Sequence, residues 1–325
     1  MAERTMIQAI QDAIATALAR DPRVMVLGED VGKNGGVFRA TEGLQERFGE
    51  DRVIDTPLAE SGIVGTAVGL AVAGMRPIAE IQFLGFIYET MDQLASQAAR
   101  IRFRTQGRFT VPLVVRAPFG GGVRTPELHS DSLEALFLHT PGLKVVMPSN
   151  PYDAKGLLLA AVEDPDPVLV LEPMRLYRLG RMEVPDGFYT VPIGQARLAR
   201  AGEDVTIVAW GPTVPVALEA ADAAAAEGVS CEVLDLRTVS PIDAAALTRS
   251  VEKTGRTVVV HEAVRSGGVG AEVLAAIHDG AFYSLLAPVE RVTGFDTPYP
   301  PPAVEDLWLP TPARVLAAVR RVMQA

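Results

Sequence analysis

The 325-residue chain has one cysteine, Cys231, four histidines and two tryptophans, and each scarcity closes off a class of function. A lone cysteine in an apolar stretch makes no intrachain disulfide, so the chain reads as the product of a reducing compartment rather than of secretion. Scattered histidines and one cysteine offer no cluster with zinc-ligand spacing. Basic residues are outnumbered, 30 against 40, and the net charge of −10 disfavours neutralising a phosphate backbone or an anionic lipid surface. Nucleic acid and membrane are therefore not expected partners. The longest uncharged apolar run, Ser61–Met75, falls short of the roughly 20 residues needed to cross a bilayer and is interrupted by glycine. Met1–Gln8 carries Glu3 and Arg4 and no continuous apolar stretch, so neither a signal nor a transit peptide is visible and a bacterial-type cytoplasm is the expected location. G-x-S-x-G and Walker A sequences are also missing, which removes the usual marks of a serine hydrolase and of a P-loop enzyme.

What remains is an ordinary globular composition, 48% hydrophobic and 22% charged, with length for two cored domains. Short apolar runs at Val24–Gly28, Ile78–Phe83, Leu113–Ala117, Leu143–Met147 and Val168–Leu171 read as buried strands alternating with helical patterns. That alternation predicts α/β architecture with a parallel sheet. Ile87, Met91, Leu94, Ala98 and Ile101 recur at steps of four and three and predict one face of a long α-helix. Pro185, Asp186, Gly187 and Pro192 punctuate the chain near its middle, which places a first domain at 1–185, a linker at 186–194 and a smaller α/β domain at 195–325. Beyond the linker, strands are expected at Val205–Trp210, Cys231–Leu236, Thr257–Val260 and Val289–Thr293, with a final amphipathic helix in Pro310–Ala325.

Several segments carry residues suited to chemistry. Glu60 leads Gly62, Gly65 and Gly69 into a helix, so it is either a partly desolvated proton-transfer group or a first-turn acid complementing the helix dipole. Glu80 and Gln82 share a strand face, and Gln82, Phe86, Ile87, Tyr88 and Glu89 follow the carboxyl end of that strand, where open α/β sheets bind ligands. The alternative is a buried hydrogen-bonded pair with aromatic packing behind it. The glycine-rich loop Gly120–Asp131 contains His129 with Arg124, Glu127 and Asp131 close by, a setting for a catalytic or a structural histidine. At Ala161–Pro167 a helix runs into a proline-bounded turn, which is either a cation site built from helix-end carbonyls and carboxylates or simply a helix stop. Gly267–Gly270 follows a strand but has Val273 where a dinucleotide fingerprint needs its last glycine.

Gly28-Glu29-Asp30-Val31-Gly32, Arg52–Glu60, Glu80–Phe83, Pro141–Val146, Asp235-Leu236-Arg237-Thr238 and Gly294–Pro300 together resemble the beta subunits of the decarboxylating component of 2-oxo acid dehydrogenase complexes, thiamine diphosphate enzymes of the transketolase superfamily. The resemblance runs nearly end to end. It implies a parallel-sheet, pyrimidine-type cofactor-binding domain followed by a transketolase C-terminal-like domain. It implies that Glu60 hydrogen-bonds the aminopyrimidine of thiamine diphosphate and moves the proton that activates it. By the same resemblance Glu29, Leu58, Ala59, Gln82 and Phe86 line the cofactor pocket, and Phe86, Ile87, Tyr88, Glu89 and His129 face the substrate. His129 is then the histidine that positions substrate and handles protons as the acyl group passes to lipoamide. The turn Ala161, Val162, Asp164 and Asp166, with Leu113, resembles a potassium site of some relatives.

No G-D-G sequence with a following asparagine motif is present, so the resemblance assigns magnesium and the diphosphate to an alpha subunit and half of each site to this chain. The expected assembly is an α2β2 heterotetramer that hands its product to a lipoyl-bearing acyltransferase. Gly120–Ser132 looks more like pyruvate-type subunits; branched-chain relatives often have a second histidine where Leu128 stands. Two other classes compete: a non-catalytic assembly subunit that docks the acyltransferase core, and a dinucleotide-binding oxidoreductase built on Gly267–Gly270.

Overall fold

A computed structural model describes all 325 residues, Met1–Ala325. Seven strands form the first sheet in the order Thr238–Ser240, Lys144–Val146, Val168–Pro173, Val114–Phe119, Arg76–Glu80, Val24–Gly28 and Val53–Asp55. All pair in parallel except Thr238–Ser240, an antiparallel edge strand contributed by the second half of the chain. A parallel sheet has both faces covered, which is why these strands are continuous apolar runs in sequence. On one face Val24, Val26, Ile78, Val114, Val168 and Val170 pack with the helices Met6–Arg20 and Pro151–Glu163. On the other, Leu27, Ala79, Val115, Ala117, Leu169 and Leu171 meet the helix Glu60–Val72, and this core continues into Val208, Trp210 and Leu234 of the second half. Each Leu, Ile or Val so buried contributes about 1.5–3 kcal/mol, so the helices are held by their inward stripes rather than by propensity.

The second sheet has five strands, ordered Glu290–Gly294, Thr257–Val264, Val205–Ala209, Cys231–Asp235 and Arg197–Arg200, the last antiparallel. Helix Pro312–Gln324 closes it through Val315, Ala318, Val319 and Val322, as its amphipathic pattern predicts. Ala2–Arg4 pairs with Met182–Val184 as a small separate ribbon.

Two local expectations are corrected. The strand expected at Ile78–Phe83 ends at Glu80; the Ile81 amide still donates to the Arg116 carbonyl at 3.0 Å, and the chain then bends at Gln82 and Phe83. The α-helix expected through Ile87–Ile101 is one helical path in three geometries: a 3₁₀ segment Leu84–Thr90, a π segment Asp92–Ala98 and an α segment Ala99–Arg104. Ile87, Leu94 and Ala98 still face the core. The Thr90 hydroxyl donates to the Ile87 carbonyl at 2.7 Å, satisfying a group that a regular α-helical bond would otherwise take.

Candidate active site

Four adjacent parallel strands deliver the candidate residues. The carboxyl end of Val24–Gly28 leads directly to Glu29, that of Val53–Asp55 to the Thr56–Glu60 turn, that of Arg76–Glu80 to Gln82 and Phe86, and that of Val114–Phe119 to the loop bearing His129. Glu29, Leu58, Ala59, Glu60, Ser61, Gln82, Phe86, Glu89 and His129 line one cleft of about 480 Å³. Ligands collect at this edge of an open α/β sheet because loops from neighbouring strands diverge there.

Glu60 opens its helix and is only 9% exposed. Its neighbour Leu58 is 70% exposed, which puts an apolar side chain at the cleft rim beside a sequestered carboxylate. Burial, then the charges of Asp30 and Glu60, push the Glu29 carboxyl above its usual range. The His129 ring sits 4.2 Å from Phe83 and 5.3 Å from Phe86, measured between centroids, in an aromatic cluster that Phe38 extends at 5.5 Å from Phe83. His129 Nδ1 is buried and has no hydrogen-bond partner. The His129 loop packs against the 3₁₀ segment at Gly85, where any Cβ would collide with the carbonyl of Leu128.

Of the residues the sequence suggested, Ile87 lies fully buried in the core rather than in the cleft, and Tyr88 is 52% exposed outside its lining. Burial, with Asp131 nearby, raises the Tyr88 phenol above its usual range. Glu80 and Gln82 do not pair: Glu80 joins Arg116 on the next strand, and Arg116 is held bidentately by Glu172 at 2.7 and 2.6 Å. Tyr177 donates to Glu172 at 2.6 Å, completing a buried network beneath the site.

At the suggested cation turn, both oxygens of Asp164 accept from Lys144 at 2.7 Å, and Asp166 is paired bidentately with Arg102. The Leu113 carbonyl accepts from Val168 at 2.9 Å and that of Ala161 from Asp164 at 3.3 Å, while the Val162 carbonyl accepts from Arg76. The glycines at 268 and 270 sit tightly against the sheet: a Cβ on either would meet the ring of His261, which stacks on Trp210 at 5.3 Å. Burial pushes the His261 imidazole down to about 3. These glycines therefore serve helix-to-strand packing.

Sequence reasoning missed Glu262, Glu305 and Tyr299, which hold the base of the His129 loop from the second half of the chain. The run Gly120-Gly121-Gly122 was the available signal, since it marks a backbone approached too closely for side chains.

The sheet pair and the cleft at its strand ends define a transketolase-like protein. The transketolase pyrimidine-binding domain family matches residues 2–180 and the transketolase C-terminal domain family matches 194–315. A split-gene transketolase in an inactive β4 tetramer superposes with a TM-score of 0.80 at 24% identity over 99% of both chains. A transketolase variant from Pichia stipitis gives 0.72 at 14% identity, covering all of this chain and 46% of its own. The Pyruvate dehydrogenase E1 component subunit beta of Bacillus subtilis is 56% identical over 324 residues, and those of Staphylococcus epidermidis and Staphylococcus aureus are 54% and 53% identical, with 100% of both chains covered in each case. The chain belongs to the family of pyruvate dehydrogenase E1 beta subunits, a component of thiamine diphosphate-dependent 2-oxo acid dehydrogenases. A beta subunit is one chain of an enzyme that also has an alpha subunit. No helix is long and apolar enough to cross a membrane.

Proposed function

We propose that this chain supplies half of a shared active site for oxidative decarboxylation of pyruvate and reductive acylation of a lipoyl group, working with its alpha subunit as an α2β2 heterotetramer. The observation that carries the reading is the convergence of Glu29, Glu60, Gln82, Phe86 and His129 on one cleft at four adjacent strand ends. Full-length identity to pyruvate-type beta subunits favours pyruvate over 3-methyl-2-oxobutanoate. The domain division at 1–185 and 195–325 belongs to the same reading, as do a lipoyl-bearing acyltransferase as acceptor and a cytoplasmic location.

Thiamine diphosphate suits the cleft, which pairs an apolar rim at Leu58 and Phe86 with a sequestered carboxylate at Glu60 and an unpartnered buried nitrogen at His129. When bound it supplies the carbon nucleophile and electron sink for decarboxylation. Glu60, removed from bulk water, holds and returns a proton at the cofactor's pyrimidine nitrogen. Phe86 would pack against its flat ring, and Glu29, Leu58, Ala59 and Gln82, which line the same cleft, would complete its surroundings. His129, oriented by Phe83 and Phe86, orders the 2-oxo acid and moves a proton as the acyl group passes to the lipoyl sulfur; with Nδ1 buried, Nε2 is the working atom. Magnesium and the diphosphate fall to the alpha subunit. Potassium at the Ala161–Asp166 turn would be held by main-chain carbonyls using their second lone pairs, because the carboxylates already serve Lys144 and Arg102.

The test is Glu60→Ala and Glu60→Gln in enzyme reconstituted with the alpha subunit. Losing a proton-transfer group costs about 10²–10⁴-fold in turnover, with assembly and melting temperature kept. Turnover within about threefold of wild type, set against that expected loss, refutes the role given to Glu60.

A further inference from the structure

The loop that presents His129 is anchored at both ends to one atom of the opposite half of the chain. Glu262 lies on the strand Thr257–Val264 and is 3% exposed. Its Oε1 accepts from the Gly121 amide at 2.6 Å and from the Ser132 hydroxyl at 3.2 Å, so the stretch between Gly121 and Ser132 is closed on a single carboxylate oxygen. Glu305, 1% exposed, repeats the arrangement one residue along: its Oε1 accepts from the Gly122 amide at 2.9 Å and from the Tyr299 hydroxyl at 2.6 Å. Arg124 adds a contact to Asp306 at 2.5 Å. Gly120 and Gly122 have φ of +85° and +86°, and a Cβ on Gly121 would strike the Tyr299 ring, so the backbone reaches these carboxylates only as glycine.

Apart from the Arg124 contacts, the hydrogen bonds inside the loop are short-range: Thr125 to Ser130 at 2.7 Å, and the His129 amide to the Pro126 carbonyl at 3.0 Å. They shape the turn without fixing where it sits over the sheet. Neither Glu262 nor Glu305 lines the cleft. These two buried carboxylates tie loop amides directly to the second half of the chain, and burial pushes the Glu262 carboxyl above its usual range.

We propose that Glu262, assisted by Glu305, is a positioning residue for His129, so that the C-terminal half of the chain sets the placement of the imidazole in a cleft it does not line. This rests on the reading of His129 as the group that serves acyl transfer.

The test uses holoenzyme reconstituted with the alpha subunit and thiamine diphosphate, acylating a free lipoyl domain from pyruvate. Glu262→Ala is expected to lower kcat about tenfold, with KM for pyruvate changing less than about twofold, since a displacement near 1 Å suffices for such losses. Amide exchange should accelerate within residues 121–131 and nowhere else. Glu262→Gln keeps the accepting oxygen and should restore most of the kcat, while Ser132→Ala and Tyr299→Phe, each removing one bond, give smaller losses in the same direction. The latter two carry the test if Glu262→Ala does not assemble. Wild-type kcat in Glu262→Ala, or an equal loss in Glu262→Gln with exchange accelerated throughout the chain, overturns the proposal. His129→Ala separates the two claims. If it acylates at the wild-type rate, the reading of His129 fails; if it loses acylation while the loop variants do not, the positioning role alone fails.

Discussion

Replacing Gly85 by alanine tests whether the placement of His129 matters, from a residue that touches neither cofactor nor substrate. Gly85 is not in the left-handed region, so alanine brings bulk without backbone strain. Its Cβ would stand 2.7 Å from the Leu128 carbonyl carbon and 3.0 Å from the Leu128 Cα, with the carbonyl oxygen nearer still. Ordinary contact begins at 3.4 Å, so the backbone just before His129 must retreat by well over about 1 Å. A shift of that size costs about 10²-fold when the displaced group belongs to the catalytic constellation. Overpacking of this kind costs about 1–3 kcal/mol, which a domain with two well-filled sheet faces tolerates. The assay is kcat for lipoyl-domain acylation by Gly85→Ala enzyme assembled with its alpha subunit, beside circular dichroism and a melting curve. A folded, assembled variant with wild-type kcat would show either that His129 is not part of the machinery or that the Leu128–Gly85 contact does not set its position.

Two further outcomes concern the charges buried around the site. Arg116, Glu80 and Glu172 are at most 4% exposed, and removing the shared cation in Arg116→Met should cost about 3–5 kcal/mol in urea unfolding, because two carboxylates are stranded. Adding Glu80→Gln and Glu172→Gln should recover most of that loss, and a cost below about 1 kcal/mol for Arg116→Met alone would show that these three side chains do not form a buried ion cluster. Burial pushes the Glu134 carboxyl from an ordinary 4.5 up to about 7. The folded chain therefore keeps a proton that the unfolded chain has released between those values, and stability falls as pH rises through that window. At about 1.4 kcal/mol per pH unit, the difference between Glu134→Gln and wild type should move by about 3 kcal/mol in favour of the variant from pH 4.5 to above 7. A difference independent of pH contradicts this account of Glu134.

Much of the fold was legible because a covered parallel sheet writes its strands as short apolar runs; Val24–Gly28 and Val168–Leu171 need no tertiary information. Part of the cleft was legible for a related reason, since Gln82 and Phe86 follow a strand end and strand ends are where such sheets bind, whereas Glu29, Leu58 and Ala59 were named only through the resemblance to a known family. The 3₁₀ and π turns through Leu84–Ala98 were not, because the apolar spacing there is equally that of an α-helix. The partner of Glu80 was not legible: of the two readings left open, the buried pair with Gln82 is not formed, and its partner Arg116 comes from a strand that becomes its neighbour only in the sheet. The edge strand Thr238–Ser240 and the carboxylates Glu262 and Glu305 were invisible for the same cause: they act on segments about a hundred or more residues away, and no local pattern encodes a distant partner.

The central claim is that this chain holds one half of a site whose other half lies on an alpha subunit. Its most direct measurement is thiamine diphosphate-dependent turnover of pyruvate and of 3-methyl-2-oxobutanoate by this chain alone, by the alpha subunit alone and by the co-purified pair. The account predicts two silent subunits and an active pair that prefers pyruvate. A correctly assembled pair inert on both acids, or turnover by this chain alone, would contradict it.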